Sequence, residues 1–191
     1  MRLSWLPNAL CILRMSLAVP TAWFLWHQRY DITFIVFLIA AITDGLDGYI
    51  AKRFKWTSEL GKILDPLADK ILLVTVFITL ALIGKVALWL VALVVIRDLI
   101  ISFGAIIYRK LFGSLVEAAP SLISKVNTVV QISYVLAAVF ASAMNTPSLT
   151  TIAVLGYVTA ATTIISGADY MVTYGQRARA IHRSRSIQNK S

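Results

Sequence analysis

Ile32-Thr-Phe-Ile-Val-Phe-Leu-Ile-Ala-Ala-Ile42 runs straight into Thr43-Asp44-Gly45-Leu46-Asp47-Gly48-Tyr49-Ile50-Ala51-Lys52-Arg53, and a second carboxylate pair follows in Gly61-Lys62-Ile63-Leu64-Asp65-Pro66-Leu67-Ala68-Asp69. An apolar run of this kind reads as part of a membrane-crossing helix, which needs about 20 residues. The run ends in charge. Four of the nine acidic residues of the chain lie between positions 44 and 69. An ionised carboxylate in or against a bilayer is costly and marks function. Like charges also repel one another, so clustering them makes sense when a hard cation such as Mg²⁺ or Mn²⁺ sits among them.

The rest of the chain fits that setting. Of 191 residues, 59% are hydrophobic and only 14% charged, with a mean hydropathy of +0.79, whereas a soluble domain is about 25% charged. Six spans are expected, at about 9–27, 31–51, 63–83, 86–108, 124–144 and 149–173, with Arg14 interrupting the first. The fold class is therefore all-α, a polytopic membrane protein of six transmembrane helices with a short N-terminal interfacial segment around Trp5 and Pro7. No connection is long enough for a second domain. Residues 1–174 form one membrane domain, and 175–191 form a basic tail that is exposed and partly disordered or lies on the lipid surface.

The net charge is +9. In a soluble chain this raises nucleic-acid binding; here topology explains it and no nucleic-acid partner is expected. Six spans put Arg2, Lys52, Arg53, Lys55, Lys62, Arg109, Lys110, Arg177, Arg179, Arg183, Arg185 and Lys190 on one side, against Arg29 and Lys85 on the other. By the positive-inside rule, both termini and the aspartates face the cytoplasm. A basic cytoplasmic face also attracts anionic lipids. Cys11 is the single cysteine, so no intrachain disulfide forms. The N-terminus has neither a signal-peptide cleavage pattern nor transit-peptide composition, which favours a bacterial plasma membrane.

Spacing carries the chemistry. Asp44 and Asp47 are three residues apart, Asp65 and Asp69 four, and either spacing puts a pair on one helical face. Lys52 to Glu59 reads as a turn, so two antiparallel helices bring the pairs together. Such a set suits two divalent ions that clamp a phosphoryl group. Gly45, Gly48, Ala51 and Gly61 leave room for something bulky near the backbone. Pro66 removes an N–H and kinks the chain near Asp65. Two other readings stand beside this one. The aspartates are neutralised by Lys52, Arg53, Lys62 and Lys70, or they line a transporter pathway, although such pathways usually lie at mid-bilayer.

The run D-x2-D-G-x2-A-K-x8-G-x3-D-x3-D, from Asp44 to Asp69, resembles the signature of the CDP-alcohol phosphatidyltransferases, with Lys52 where that family usually has Arg. The resemblance covers most of the chain. It implies an enzyme that transfers a phosphatidyl or similar group from a CDP-linked donor to an alcohol and releases CMP. It implies Asp44, Asp47, Asp65 and Asp69 as ligands of two Mg²⁺ or Mn²⁺ ions, with Asp69 also the general base toward the acceptor hydroxyl. Gly48, Ala51 and Gly61 then make room for the nucleotide of CDP-diacylglycerol. Lys52 meets the donor diphosphate, with Arg53 sharing the role because lysine lacks the bidentate fork. A homodimer is also implied.

Two branches of the family differ in acceptor. Leu6-Pro7-Asn8-Ala9-Leu10-Cys11-Ile12-Leu13-Arg14 resembles the opening of both. The branch that uses glycerol 3-phosphate usually has a second Arg where this chain has Ala105, and a second Lys where it has Asn127. Pro120 to Gln131 resembles the CMP-forming cardiolipin synthase branch, whose acceptor is phosphatidylglycerol. A near-dianionic phosphate calls for several cations; a phosphodiester with two acyl chains needs fewer. Phosphatidylglycerol is the preferred acceptor and glycerol 3-phosphate the alternative. Arg97 and Lys125 are the candidates for the acceptor phosphate. Arg97 reads equally as half of a buried pair with Asp98 or Asp169, and Asp169 as the partner of a nearby Arg or Lys.

Overall fold

The chain reverses at polar turns whose geometry needs a left-handed residue. Gln28 (φ 56°), Gly84 (φ 72°) and Asn145 (φ 55°) occupy these positions. After Gln28, the Arg29 N–H donates to the Phe24 carbonyl at 2.9 Å, and after Gly84 the Lys85 N–H donates to Leu80 at 2.9 Å. These bonds satisfy carbonyls that the helix end would leave orphaned. The new helices start on caps: the Ser121 hydroxyl accepts from the Ser124 N–H at 3.2 Å, and Ser148 from Thr151 at 3.3 Å.

The structure is a computed structural model that describes the backbone of residues 6–54, 61–112 and 121–188, and the side chains of 11–43, 70–104, 121–173 and 175–176. The order is α1 (Leu6–Trp26), α2 (Tyr30–Phe54), α3 (Gly61–Leu82), α4 (Leu88–Phe112), α5 (Leu122–Met144) and α6 (Leu149–Gln188). All described secondary structure is helical, and each expected span falls on one helix within a few residues. Leu122–Met144 and Leu149–Thr173 are long and apolar enough to cross a membrane; the described parts of α1, α2 and α3 are shorter apolar segments. The tail departs from expectation. Helix α6 runs on through Gly175 to Gln188 without a break. No proline follows Gly175, and Ala178 and Ala180 among the arginines are good helix formers.

Two compact units divide the chain, with boundaries inside α4, α5 and α6 after Val91, Gln131 and Val154. In the first unit (1–91 and 132–154), α1 packs against both α2 and α3. Leu25, Phe37, Val76, Phe77, Leu80, Leu90, Val135 and Val139 are buried there. Phe77 stacks on Tyr134 with centroids 6.0 Å apart, and Phe34 meets Phe140 at 5.5 Å. The second unit (92–131 and 155–191) buries a different set: Arg97, Asp98, Asn127, Gln131, Thr159, Thr163 and Ser166.

Polarity is arranged as lipid solvent demands. Large apolar side chains such as Ile35, Ile39, Phe103, Val129, Ile164 and Ile165 are exposed, while arginine, amides and hydroxyls are inside. A soluble fold rarely leaves so much apolar surface open. Four buried hydroxyls turn back on the local backbone. Thr21, Thr33, Thr79 and Thr159 donate to the carbonyl four residues back at 2.6 to 2.9 Å.

Candidate functional site

Asp44 and Asp47 lie on α2, and Asp65 and Asp69 on α3, the two helices that pack on α1. The helical backbone carries the three- and four-residue spacings without interruption. The side chains of these four residues, and of Gly48, Ala51, Lys52, Arg53, Gly61 and Pro66, lie outside the described residues, as does the turn at 55–60. By donor chemistry the set fits Mg²⁺ or Mn²⁺, because four carboxylates offer only hard oxygens. Among the described residues no three His, Cys, Asp or Glu side chains gather. His27 is exposed on the α1 end, its Nδ1 2.9 Å from the Trp23 carbonyl.

Arg14 stands in the same unit. Its side chain is buried in α1, 4% exposed, and it holds a partner. A guanidinium stays charged in any protein environment. Its burial places a cation inside a helix that packs on both α2 and α3. In the sequence it stands as an interruption of an apolar run and as the last residue of the Leu6–Arg14 segment, neither of which shows its burial.

The described polar site lies in the second unit, and Arg97 of α4 is its hub. Arg97 is 6% exposed and Asp98 7%. The Arg97 Nη1 donates to Asp98 Oδ1 at 2.7 Å. Its Nη2 donates to the Ser124 hydroxyl of α5 at 2.8 Å and to the Ser166 hydroxyl of α6. Of the two partners weighed for Arg97, the structure brings Asp98. Asp169 makes no ion pair among the described residues, and its Oδ2 is buried with no hydrogen-bond partner. Lys125, the other acceptor candidate, is exposed, and it is Ser124 rather than Lys125 that reaches Arg97.

From that hub a polar seam runs along α5 and α6. Asn127 and Gln131 are 0% and 1% exposed. The Asn127 Oδ1 accepts from the Thr162 hydroxyl at 2.9 Å and from Thr163 at 3.0 Å. Gln131 Nε2 donates to Thr163 Oγ1 at 3.3 Å. Ser124 is joined to Ser166 through Arg97, and three residues further along α5 Asn127 meets Thr163, three residues earlier on α6, so the two helices are antiparallel here. Such amides and hydroxyls hold membrane helices together where no hydrophobic drive exists between them. Two aromatic and small-residue contacts frame the seam. A Cβ built on Gly104 meets the Tyr170 ring at 3.0 Å, so the ring lies directly over that backbone; one on Gly167 meets Arg97 Cγ at an ordinary 3.6 Å.

Sequence reading found Arg97 and Asp98 but missed the seam. Its signal was present: Ser124, Asn127 and Gln131, and Thr159, Thr163 and Ser166, recur at three- and four-residue steps in otherwise apolar helices.

Comparison with known proteins agrees with the aspartate pattern. Residues 4–168 match the model of the CDP-alcohol phosphatidyltransferase family. The chain is 33% identical over 188 residues to the chloroplastic CDP-diacylglycerol–glycerol-3-phosphate 3-phosphatidyltransferase 1 of Oryza sativa subsp. japonica, covering 90% of this chain and 57% of that protein. It is 32% identical over 188 residues to the CMP-forming cardiolipin synthase of Homo sapiens, covering 90% of this chain and 62% of that one. A CDP-diacylglycerol–glycerol-3-phosphate 3-phosphatidyltransferase of Pseudomonas fluorescens is 36% identical over 104 residues, 51% of this chain and 52% of its own length. The chain thus spans about three fifths of the first two relatives. With its signature present from Asp44 to Asp69 apart from Lys52, and a family match over residues 4–168, the chain belongs to the CDP-alcohol phosphatidyltransferase family.

Proposed function

We propose that the protein is a six-span membrane enzyme that transfers the phosphatidyl group of CDP-diacylglycerol to phosphatidylglycerol, giving cardiolipin and CMP. The aspartate signature within a family match supports the reaction class. A carboxylate-lined transporter has no support from the family. Gly48, Ala51 and Gly61 leave space for the cytidine nucleotide, and Lys52 with Arg53 meets its diphosphate. Asp44, Asp47, Asp65 and Asp69 hold two divalent ions, which supply charge neutralisation at the diphosphate when bound. Asp69 accepts the proton of the acceptor hydroxyl. The freed oxygen forms a bond to the phosphorus that carries the diacylglycerol. The bond from that phosphorus to the bridging oxygen breaks, and CMP leaves with the electron pair and the bridging oxygen. The site faces the cytoplasm of a bacterial plasma membrane, and the chain is a homodimer, as the sequence reading expects.

One observation carries the choice of acceptor. The buried cation of the described seam is Arg97, and Asp98 already lies 2.7 Å from it. The neighbouring donor, Asn127, is neutral. That balance suits a phosphodiester of single charge and leaves little to offset a dianion. The relatives do not choose, because a glycerol-3-phosphate enzyme and a cardiolipin synthase match at 33% and 32% identity; glycerol 3-phosphate stands as the second reading. The test is CMP release by purified protein with CDP-diacylglycerol and Mg²⁺, given one acceptor at a time. Release together with cardiolipin when phosphatidylglycerol is supplied is the expected result. Release with glycerol 3-phosphate alone transfers the assignment to the second reading.

A further inference from the structure

Arg14 is 4% exposed and holds a partner. Its guanidinium keeps its charge wherever it lies, and a buried charge is costly unless an opposite charge stands near it. The register of the first unit shows which carboxylates come to its level. Helices α1, α2 and α3 belong to that unit, and α1 packs against the other two. Their outer ends are tied together. The Arg29 N–H closes the α1–α2 turn on the Phe24 carbonyl. Lys85 Nζ, just past the end of α3, lies 5.5 Å from the centre of the Tyr30 ring at the start of α2.

Depth is then counted inward from that end at about 1.5 Å per residue. Arg14 lies about 18 Å before Trp26, Asp44 about 21 Å beyond Tyr30 and Asp69 about 20 Å before Leu82. The three share a level to within one helical turn. Asp47 and Asp65 both lie about 26 Å in, roughly one turn further. The Cα–Cβ bonds of α1 tilt toward that inner end, because it holds the N-terminus of the helix. The other acidic residues of this unit are placed elsewhere. Asp31 stands at the outer turn, 3.6 Å from Arg29, and Glu59 falls between α2 and α3. Among the cations, Lys52, Arg53 and Lys62 lie closer to the inner end, and Lys70, near the level of Asp69, is half-buried. Of the described cations at this level, Arg14 is the one that water reaches least.

We propose that Arg14 is a built-in countercharge to Asp44, Asp47, Asp65 and Asp69. It acts through the aspartates, as a positioning residue. Four like charges repel one another when no divalent ion is bound, and a fixed positive charge at their level holds the set together. The same charge opposes incoming ions and lowers their affinity. The inference rests on the divalent-ion reading above and deepens it, by naming a residue outside the signature that sets how the ion site behaves.

The experiment titrates Mn²⁺ into the full chain, read by loss of the free-ion electron spin resonance signal, for wild type, Arg14→Met and Arg14→Lys. Melting temperature is recorded for each in EDTA and in saturating Mn²⁺. Arg14→Met removes the charge and keeps an unbranched side chain; Arg14→Lys keeps the charge. The expected result is Mn²⁺ binding tighter by about fivefold or more in Arg14→Met, with Arg14→Lys close to wild type. The melting temperature of Arg14→Met falls in EDTA and regains most of the loss in Mn²⁺, because a ligand stabilises the fold it binds according to its affinity. If Arg14→Met does not fold alone, Asp44→Asn is added, and removing both charges is expected to restore folding. Unchanged or weaker Mn²⁺ binding by folded Arg14→Met overturns the inference. So does an equal fall in melting temperature with and without Mn²⁺, the mark of an arginine that only packs, and so does a double variant that stays unfolded. Wild type that binds no Mn²⁺ removes the divalent-ion reading itself, and this inference falls with it.

Discussion

Helices α2 and α3 and the α4–α6 seam handle polarity in opposite ways. The first concentrates formal charge, with four carboxylates on two helices and a buried arginine on the helix that packs against both. The second sets hydroxyls and amides around the Arg97–Asp98 pair, with Asp169 the one carboxylate there that makes no ion pair among the described residues. Charge at high density is what phosphoryl transfer needs, because a diphosphate must be neutralised before a nucleophile can approach. Neutral hydrogen bonding serves recognition and helix association, because it adds no uncompensated charge to an apolar surrounding. On the function proposed above, chemistry falls to the first region and acceptor recognition to the second.

Removing the ions should break the first region outright. Excess EDTA is expected to reduce CMP release to background, and Mg²⁺ or Mn²⁺ to restore it; full activity in EDTA removes the metal assignment. The second region should respond differently. Arg97→Met takes from Asp98 its 2.7 Å partner and from Ser124 and Ser166 their shared donor. Breaking a buried pair costs about 3–5 kcal/mol. A marked fall in melting temperature together with weakened acceptor use is expected, with donor binding by the folded fraction retained. Equal loss of donor and acceptor binding would merge the two regions into one.

A matched pair of glycines gives the smallest effects. Gly104→Ala places a methyl 3.0 Å from the Tyr170 ring, which must move, and a loss of about 1 kcal/mol is expected, as for mild overpacking. Gly167→Ala meets Arg97 at an ordinary 3.6 Å and gains helix propensity, so its melting temperature should hold or rise slightly. The reverse order would mean that the seam packs differently around Arg97.

The first region was readable in the sequence because its signal is local. Asp44, Asp47, Asp65 and Asp69 are rare residues in an apolar chain, and fixed spacing within two helices is all that the pattern requires. The six helices were readable for a similar reason, since length and hydropathy set them, and the turns at Gln28, Gly84 and Asn145 fell where polar residues interrupt the apolar runs. The seam was not. Asn127 was singled out only as a departure from a family pattern, Ser124, Thr163 and Ser166 are individually ordinary, and the bonds that join them across three helices are not encoded in one-dimensional spacing. Arg14 was read as a flaw in a span, because burial of a charge shows only once neighbouring helices surround it. The tail was expected to be partly disordered or to lie on the lipid surface; the run free of proline after Gly175 lets α6 continue to Gln188, which speaks against the first and leaves the second standing.

The measurement closest to the central claim is CMP release from CDP-diacylglycerol by Asp69→Asn beside wild type, with donor binding followed in the same preparations. A base that accepts the acceptor's proton contributes about 10²–10⁴-fold. The account predicts a loss of at least about 100-fold in turnover while CDP-diacylglycerol is still bound. Turnover at the wild-type rate in the folded variant would contradict it, and the proton would then have to leave by another group.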